Sequence, residues 1–167
     1  KLRLKHINEV LKYSNPKIII IEKPVADNLK DAKKIVKICN KEKIKVFINL
    51  YRYSQQSTYE LKKKIIQNNK KNELIRCIIN YNKGYFHNFS HFFNLCTILF
   101  GEFEYLKKIY FKKKISNNDY LIKAKLKFNK CLVDIVPNHI ISSCNLKIKT
   151  KNLYVKYLND GNNISLI

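Results

Sequence analysis

Residues 17–24 read Lys-Ile-Ile-Ile-Ile-Glu-Lys-Pro, and this run constrains the fold more than any other part of the chain. Four consecutive isoleucines predict a strand buried on both faces, as in a parallel sheet. Pro24 cannot donate to a ladder, so the strand must end at the charged pair before it. A helical pattern opens at Leu29, behind Asn28 as a capping residue, and Asp31 adds negative charge in the first turn. Leu29, Ala32, Ile35, Val36 and Cys39 form its apolar stripe. A second strand pattern follows over 43–49. The order is that of a β-α-β unit with a right-handed crossover. Glu22, Lys23 and Pro24 then sit at the carboxyl end of a parallel strand, where open α/β sheets bind ligands. Asn49 and Arg52, just past the second strand, are placed to touch a cofactor or substrate, and Arg52 suits a domain interface equally well.

The rest of the chain reads differently. Residues 6–14 predict a short helix with Ile7, Val10 and Leu11 on one face, broken by Asn15-Pro16. A connecting helix is expected over 56–67, and the Lys and Asn residues at 68–72 mark a polar loop and domain boundary. Beyond it the pattern predicts a strand over 74–81 and a helix over 87–100 that stops before Gly101. Strand-like segments follow at 105–112, 120–128, 131–136, 144–149 and 153–158. Ile122, Ala124, Leu126 and Phe128 alternate with Lys123, Lys125 and Lys127, the signature of a half-exposed antiparallel strand. The expected fold class is therefore α/β plus α+β: a parallel β-α-β unit, then a mainly antiparallel open sheet with one long helix.

The 34 Lys and Arg against 12 Asp and Glu give a formal charge of +22. Such a charge ordinarily points to nucleic acid or an anionic membrane. Arg3, Arg52 and Arg76 are the only arginines, however, and base recognition favours the bidentate guanidinium. Lys, Asn, Ile, Tyr and Phe all have codons rich in A and T, so the basicity reads first as coding bias. The five cysteines are scattered with no zinc or redox spacing, which predicts buried free thiols and a cytoplasmic protein. No apolar stretch approaches the ~20 residues of a membrane span.

Glu22-Lys23-Pro24 resembles the Glu-Lys-Pro motif of the Gfo/Idh/MocA family, NAD(P)-dependent sugar oxidoreductases. Three further features stand in the family's order: a strand ending Asn49-Leu50-Tyr51-Arg52, a Gly84-Tyr85 step, and a helix opening Asn88-Phe89-Ser90-His91-Phe92-Phe93-Asn94-Leu95. The resemblance implies that 1–54 is the C-terminal part of a dinucleotide-binding Rossmann domain and 55–72 a connecting helix and linker. Residues 73–167 then form an incomplete α+β substrate and oligomerisation domain. It implies NAD or NADP as cofactor, a sugar or cyclitol substrate oxidised at a secondary alcohol, and a homo-oligomer formed through the open sheet.

Lys23 and His91 are the catalytic residues that the resemblance implies. A partly buried ammonium has a lowered pKa and can exchange a proton near neutrality, and histidine titrates close to working pH. His87, His91 and Asn94 fall at i, i+4 and i+7, one polar stripe on an otherwise apolar helix, with Asn88 at its edge. His87, Asn88, Asn94 and Arg52 are expected to line the substrate pocket, and Glu22, Lys23, Pro24 and Asn49 to meet the cofactor. Asparagine stands at 94 where many members carry Asp, which weakens a full acid/base relay. The family's cis bond is expected at Lys23-Pro24. His87 and His91 mark no third metal ligand, so no metal is expected.

Gly84, Gly101 and Gly161, the only glycines, all lie after Lys23, so no glycine-rich turn is present to cradle a pyrophosphate. The expectation is a truncated piece of an oxidoreductase, inactive by itself. Two alternatives are a non-catalytic remnant acting as an oligomerisation module and a basic nucleic-acid-binding protein, the latter requiring lysines gathered on one face.

Overall fold

The chain's structure, a computed structural model, describes residues 2–69, 73–116, 119–138, 140–158 and 163–167; Gly161 and positions 70–72 of the expected boundary loop lie outside the described residues. It divides into two units, Lys1–Tyr51 and Arg52–Ile167.

In the first unit, helix α1 (Leu2–Tyr13) is followed by β1 (Ile18–Glu22), α2 (Leu29–Lys41) and β2 (Lys45–Asn49). β1 and β2 pair in parallel from Ile18↔Lys45 to Glu22↔Asn49, the β-α-β unit read from the pattern. Asn28 caps α2, its Oδ1 accepting the Asp31 N–H at 2.8 Å. Ile7, Ile21, Ile35, Cys39 and Ile44 form the core. The expected double burial of β1 is not found: Ile21 is 4% exposed but Ile20 is 72% exposed. Alternation explains the difference. Ile19 and Ile21 meet the apolar residues of α1 and α2, whereas Ile18, Ile20 and Phe47 lie on a face that no described helix covers.

The second unit contains α3 (Gln56–Asn68), β3 (Ile75–Tyr81), α4 (Ser90–Phe100), β4 (Phe103–Ser116), β5 (Asp119–Phe128), β6 (Cys131–Pro137), β7 (Asn145–Lys149), β8 (Tyr154–Leu158) and β9 (Asn163–Leu166). The seven strands form one sheet in the order β4-β5-β6-β3-β7-β8-β9, antiparallel except where β3 meets β6. Inward residues of the strands close over Phe92, Leu95, Cys96 and Leu99 of α4, with Leu61 and Ile65 of α3 in the same core. The connecting helix thus packs within the second unit. β9, only four residues long, carried no signal strong enough to be read from sequence. No helix among the described residues is long and apolar enough to cross a membrane.

β5 departs from the simple alternation. Leu121, Ala124, Leu126 and Phe128 are buried, while Ile122 is only half-buried, packed at the margin of the core. The β5–β6 register ends at Ala124↔Ile135. Beyond it the Tyr81 hydroxyl accepts the Ile122 N–H at 2.7 Å and donates to the Ile122 carbonyl at 2.9 Å. A side chain takes the place of a ladder partner there, and the face of the strand switches. β4 spends 14 residues against the 10 of β5, with four register shifts along the pair. Such bulges bend an edge strand and disrupt its pairing edge.

Burial pushes the Tyr81 hydroxyl up to about 12. The folded chain holds this proton to that pH, whereas the unfolded chain releases it near 10. Across that window the unfolded state binds fewer protons, so stability falls as pH rises through it. Tyr81→Phe leaves the Ile122 N–H and carbonyl unpaired and is expected to cost about 1–3 kcal/mol. Urea melts at pH 8, 10 and 11.5 check this: the variant is weaker at pH 8 and loses less stability between pH 10 and 11.5.

Candidate functional site

The carboxyl ends of β1 and β2 bring two expected residues together. Glu22 and Asn49 are register partners, and the Asn49 amide donates to Glu22 Oε1. The Arg3 guanidinium donates to the Glu22 carbonyl, a contact that nothing in the amphipathic pattern of the first helix signalled. The Lys23–Pro24 peptide bond is cis, as the resemblance implied. Lys23 is half-buried, with Glu22 and Pro24 exposed on either side.

In the second unit the polar helix begins with a wide turn. Residues Tyr85–Phe89 form one π-helical turn before α4 starts at Ser90. A π turn bonds i to i+5 and widens the spacing, so the i, i+4 stripe drawn through His87 does not continue into α4. His87 is exposed, whereas His91 and Asn94 are half-buried. The Asn94 Oδ1 is itself buried and has no hydrogen-bond donor among the described residues. Buried polar atoms are nearly always paired, so this oxygen is poised for a donor.

Asp119 was not found by sequence reasoning. Its carboxylate accepts the N–H groups of Phe86 at 2.8 Å, His87 at 3.0 Å and Tyr120 at 2.8 Å. It thereby caps the helix N-terminus with negative charge. Gly84, at φ 116°, sits directly under that carboxylate, and any Cβ there would collide with it. The Gly84-Tyr85 step was visible in the sequence; the aspartate 35 residues later carried no local signal.

Two other expected pocket residues are engaged within the second unit. The Asn88 amide donates to Asn82 Oδ1 and lies 3.5 Å from Cys144 Sγ, while the Asn82 amide holds the carbonyls of Ile141 and Ser142 at 2.9 Å. Arg52 is 2% exposed, with Nε donating to the Tyr157 hydroxyl at 3.3 Å and its guanidinium 4.6 Å from the Phe92 ring centre. Burial pushes the Cys77 and Cys131 thiols up, so neither is a nucleophile at neutral pH. No group of three His, Cys, Asp or Glu among the described residues is arranged to hold a metal. A cavity of about 790 Å³ opens elsewhere, between Ile65, Asn69, Glu73, Leu99 and Asn129, and contains none of the expected site residues.

The fold is that of Gfo/Idh/MocA-type NAD-binding dehydrogenases. The chain matches the WlbA dehydrogenase from Bordetella pertussis, solved with NADH and UDP-GlcNAcA, at TM-score 0.74 and 17% identity over 98% of this chain and 58% of that one. An oxidoreductase from Thermotoga maritima matches at TM-score 0.77 and 14% identity, over 99% of this chain and 57% of that one. An oxidoreductase from Agrobacterium radiobacter, in complex with NAD+, L-tartaric acid and magnesium, matches at TM-score 0.66 and 13% identity, covering 99% and 57%. The chain thus spans less than two thirds of the length of these solved structures. No family model and no curated protein sequence matches it.

Asp119→Asn keeps the shape of the cap but removes its charge, and is expected to cost about 1–2 kcal/mol in urea unfolding. Asn94→Leu removes a buried acceptor that has no donor among the described residues and is expected to leave the thermal midpoint unchanged or higher. A lowered midpoint would mean that Asn94 serves the fold.

Proposed function

We propose that the protein carrying these residues is an NAD(P)-dependent oxidoreductase of the Gfo/Idh/MocA type, acting on a secondary alcohol of a sugar or cyclitol. The observation behind this reading is the cis Lys23–Pro24 bond at the end of a parallel strand, with Asn49 bonded to Glu22 beside it. That arrangement stands in a fold shared with dehydrogenases solved with NAD+ or NADH. The bound UDP-GlcNAcA of the Bordetella protein supports a sugar-related substrate.

Glu22, Lys23, Pro24 and Asn49 form the cofactor-facing strand end in this reading. The nicotinamide supplies the hydride acceptor or donor. Lys23, as the neutral amine, takes the hydroxyl proton during oxidation and returns it as the ammonium during reduction. His91 is the second proton carrier. Asn94 accepts a hydrogen bond from a substrate hydroxyl through the oxygen that lacks a donor. Being neutral, it does not raise the basicity of His91 as an aspartate does. His87, Asn88 and Arg52 line or shape the pocket, the last two through the bonds already described. The pyrophosphate is less well served: none of the glycines precedes Gly84, so the first unit has no close-approach turn for it. In this reading these 167 residues supply the nicotinamide-facing strand end, proton handling and substrate orientation. The five cysteines are free and buried, which suits a reducing cytosol.

A second reading, a non-catalytic oligomerisation module, is favoured by β4. All 14 of its residues are exposed, Phe103, Leu106 and Ile109 among them. These apolar side chains offer a surface that a second copy would cover.

In the complete oxidoreductase, Lys23→Ala is expected to lower turnover by roughly 10²–10⁴-fold. The 167-residue chain alone is expected to show no specific binding of NAD+ or NADP+ by isothermal titration at physiological salt. Micromolar binding by the chain alone would place the cofactor site elsewhere in it, and a Lys23→Ala enzyme of undiminished rate would remove the proton-transfer role.

A further inference from the structure

Helices α3 and α4 end at the same cavity. Asn69 and Gly101, the residues that close their last turns, both line the space of about 790 Å³. That volume falls within the ~300–1,000 Å³ of small-molecule sites. Ile66, Leu74, Leu99 and Phe100 make much of its wall apolar. A helix C-terminus carries about half a negative charge, so two such ends favour a cation before any side chain is counted.

Two side-chain acceptors add to this. Asn69 Oδ1 and Glu73 Oε2 are buried, and neither has a hydrogen-bond donor among the described residues. The Asn69 amide donates to the Glu73 carbonyl at 3.2 Å, which holds it in the orientation that leaves its oxygen unpaired. A carboxylate oxygen withdrawn from water without a donor is destabilising, and an arriving cation relieves that cost. Glu73 as a whole is only half-buried and lines the cavity, so its carboxylate stays within reach of a ligand. Lys62 and Lys130 line the same cavity, yet among the described residues no ion pair joins either of them to Glu73.

We infer that this cavity binds a small monoamine, a primary ammonium group on an apolar body. The ammonium brings three donors and no acceptor, which suits the Glu73 carboxylate and the Asn69 amide oxygen. The body lies against Ile66, Leu74 and Leu99 and takes apolar surface out of water. Lys62 and Lys130 disfavour a second positive charge in the same space. The cavity contains none of the residues assigned to proton transfer or substrate, so the inference is independent of the oxidoreductase reading.

The test is two-dimensional amide NMR of the isotope-labelled full chain, titrated with 2-phenylethylamine, its neutral isostere 2-phenylethanol, and 1,4-diaminobutane. A ligand of this size reaches about millimolar affinity in a fitting site, and the amine should shift the amides of Asn69, Glu73 and Gly101 in that range. The alcohol and the diamine should each bind roughly tenfold more weakly or worse, the loss expected for one charge-assisted hydrogen bond. Glu73→Gln should weaken the amine by a similar factor while the thermal midpoint holds or rises, because an unpaired buried charge is removed. Should that variant melt early, Ile66→Trp fills the cavity from an exposed position and should abolish binding with the carboxylate intact. Glu60→Gln, at an exposed acid of α3 outside the cavity, should alter affinity less than about threefold. Equal binding of the alcohol, tighter binding of the diamine, shifts centred on the His91 end of α4, undiminished affinity in Glu73→Gln, an equal loss in Glu60→Gln, or no saturation by about 20 mM amine would each overturn the inference.

Discussion

The second unit depends on one burial, that of α4 against the inward face of the sheet. The helix is apolar around most of its circumference, and Phe92, Leu95, Cys96, Leu99 and Phe100 are all essentially inaccessible. Full burial of each large side chain is worth about 1.5–3 kcal/mol. A helix of this kind is stable only when enclosed, which requires both the sheet and α3. Because side chains alternate along a strand, the phase that presents Cys77, Ile79, Val133, Leu146 and Ile148 to the helix also determines which residues face away.

The same helix accounts for the positions of His91 and Asn94. Its entry is set by Gly84, which lets the Asp119 carboxylate come close, and by the three N–H groups that this carboxylate holds. The π turn inserted between Tyr85 and Phe89 separates an exposed His87 from a half-buried His91. Local widening of this kind is frequent at functional sites, where a side chain must be re-aimed without moving the helix. The buried Arg52 beneath Phe92 and the Asn82–Asn88 bond brace the helix and its entry from within the second unit.

Strand phase also turns a compositional bias into a surface. In composition the lysines look like the product of A- and T-rich codons. In the sheet, the alternation that hides Leu126 and Val133 places Lys125, Lys127, Arg76, Lys147 and Lys149 on the other side, the first two half-buried. Clustered charge of one sign raises the local potential well above what a scattered distribution gives.

By itself the sequence determined what local pattern and short-range chemistry control. Asn28 capping, the β-α-β order, the strand end at Glu22 and the antiparallel character beyond residue 105 follow from periodicity, capping and proline, which act over a few residues. The Glu-Lys-Pro resemblance added the cis bond. The tertiary structure alone decided features that need a distant partner. Ile20 is exposed because both helices of the first unit gather on the other side of β1. Leu121 joins the buried residues and Ile122 is only half-buried where the hydroxyl of Tyr81, far away in sequence, replaces a ladder partner. Asp119 becomes a helix cap only when β5 lies beside Gly84. Arg52 could be assigned to surface or interior only once Tyr157 closed over it. For Ile122, Asp119 and Arg52 the free energy lies in a contact between residues dozens of positions apart, which no short window of sequence contains.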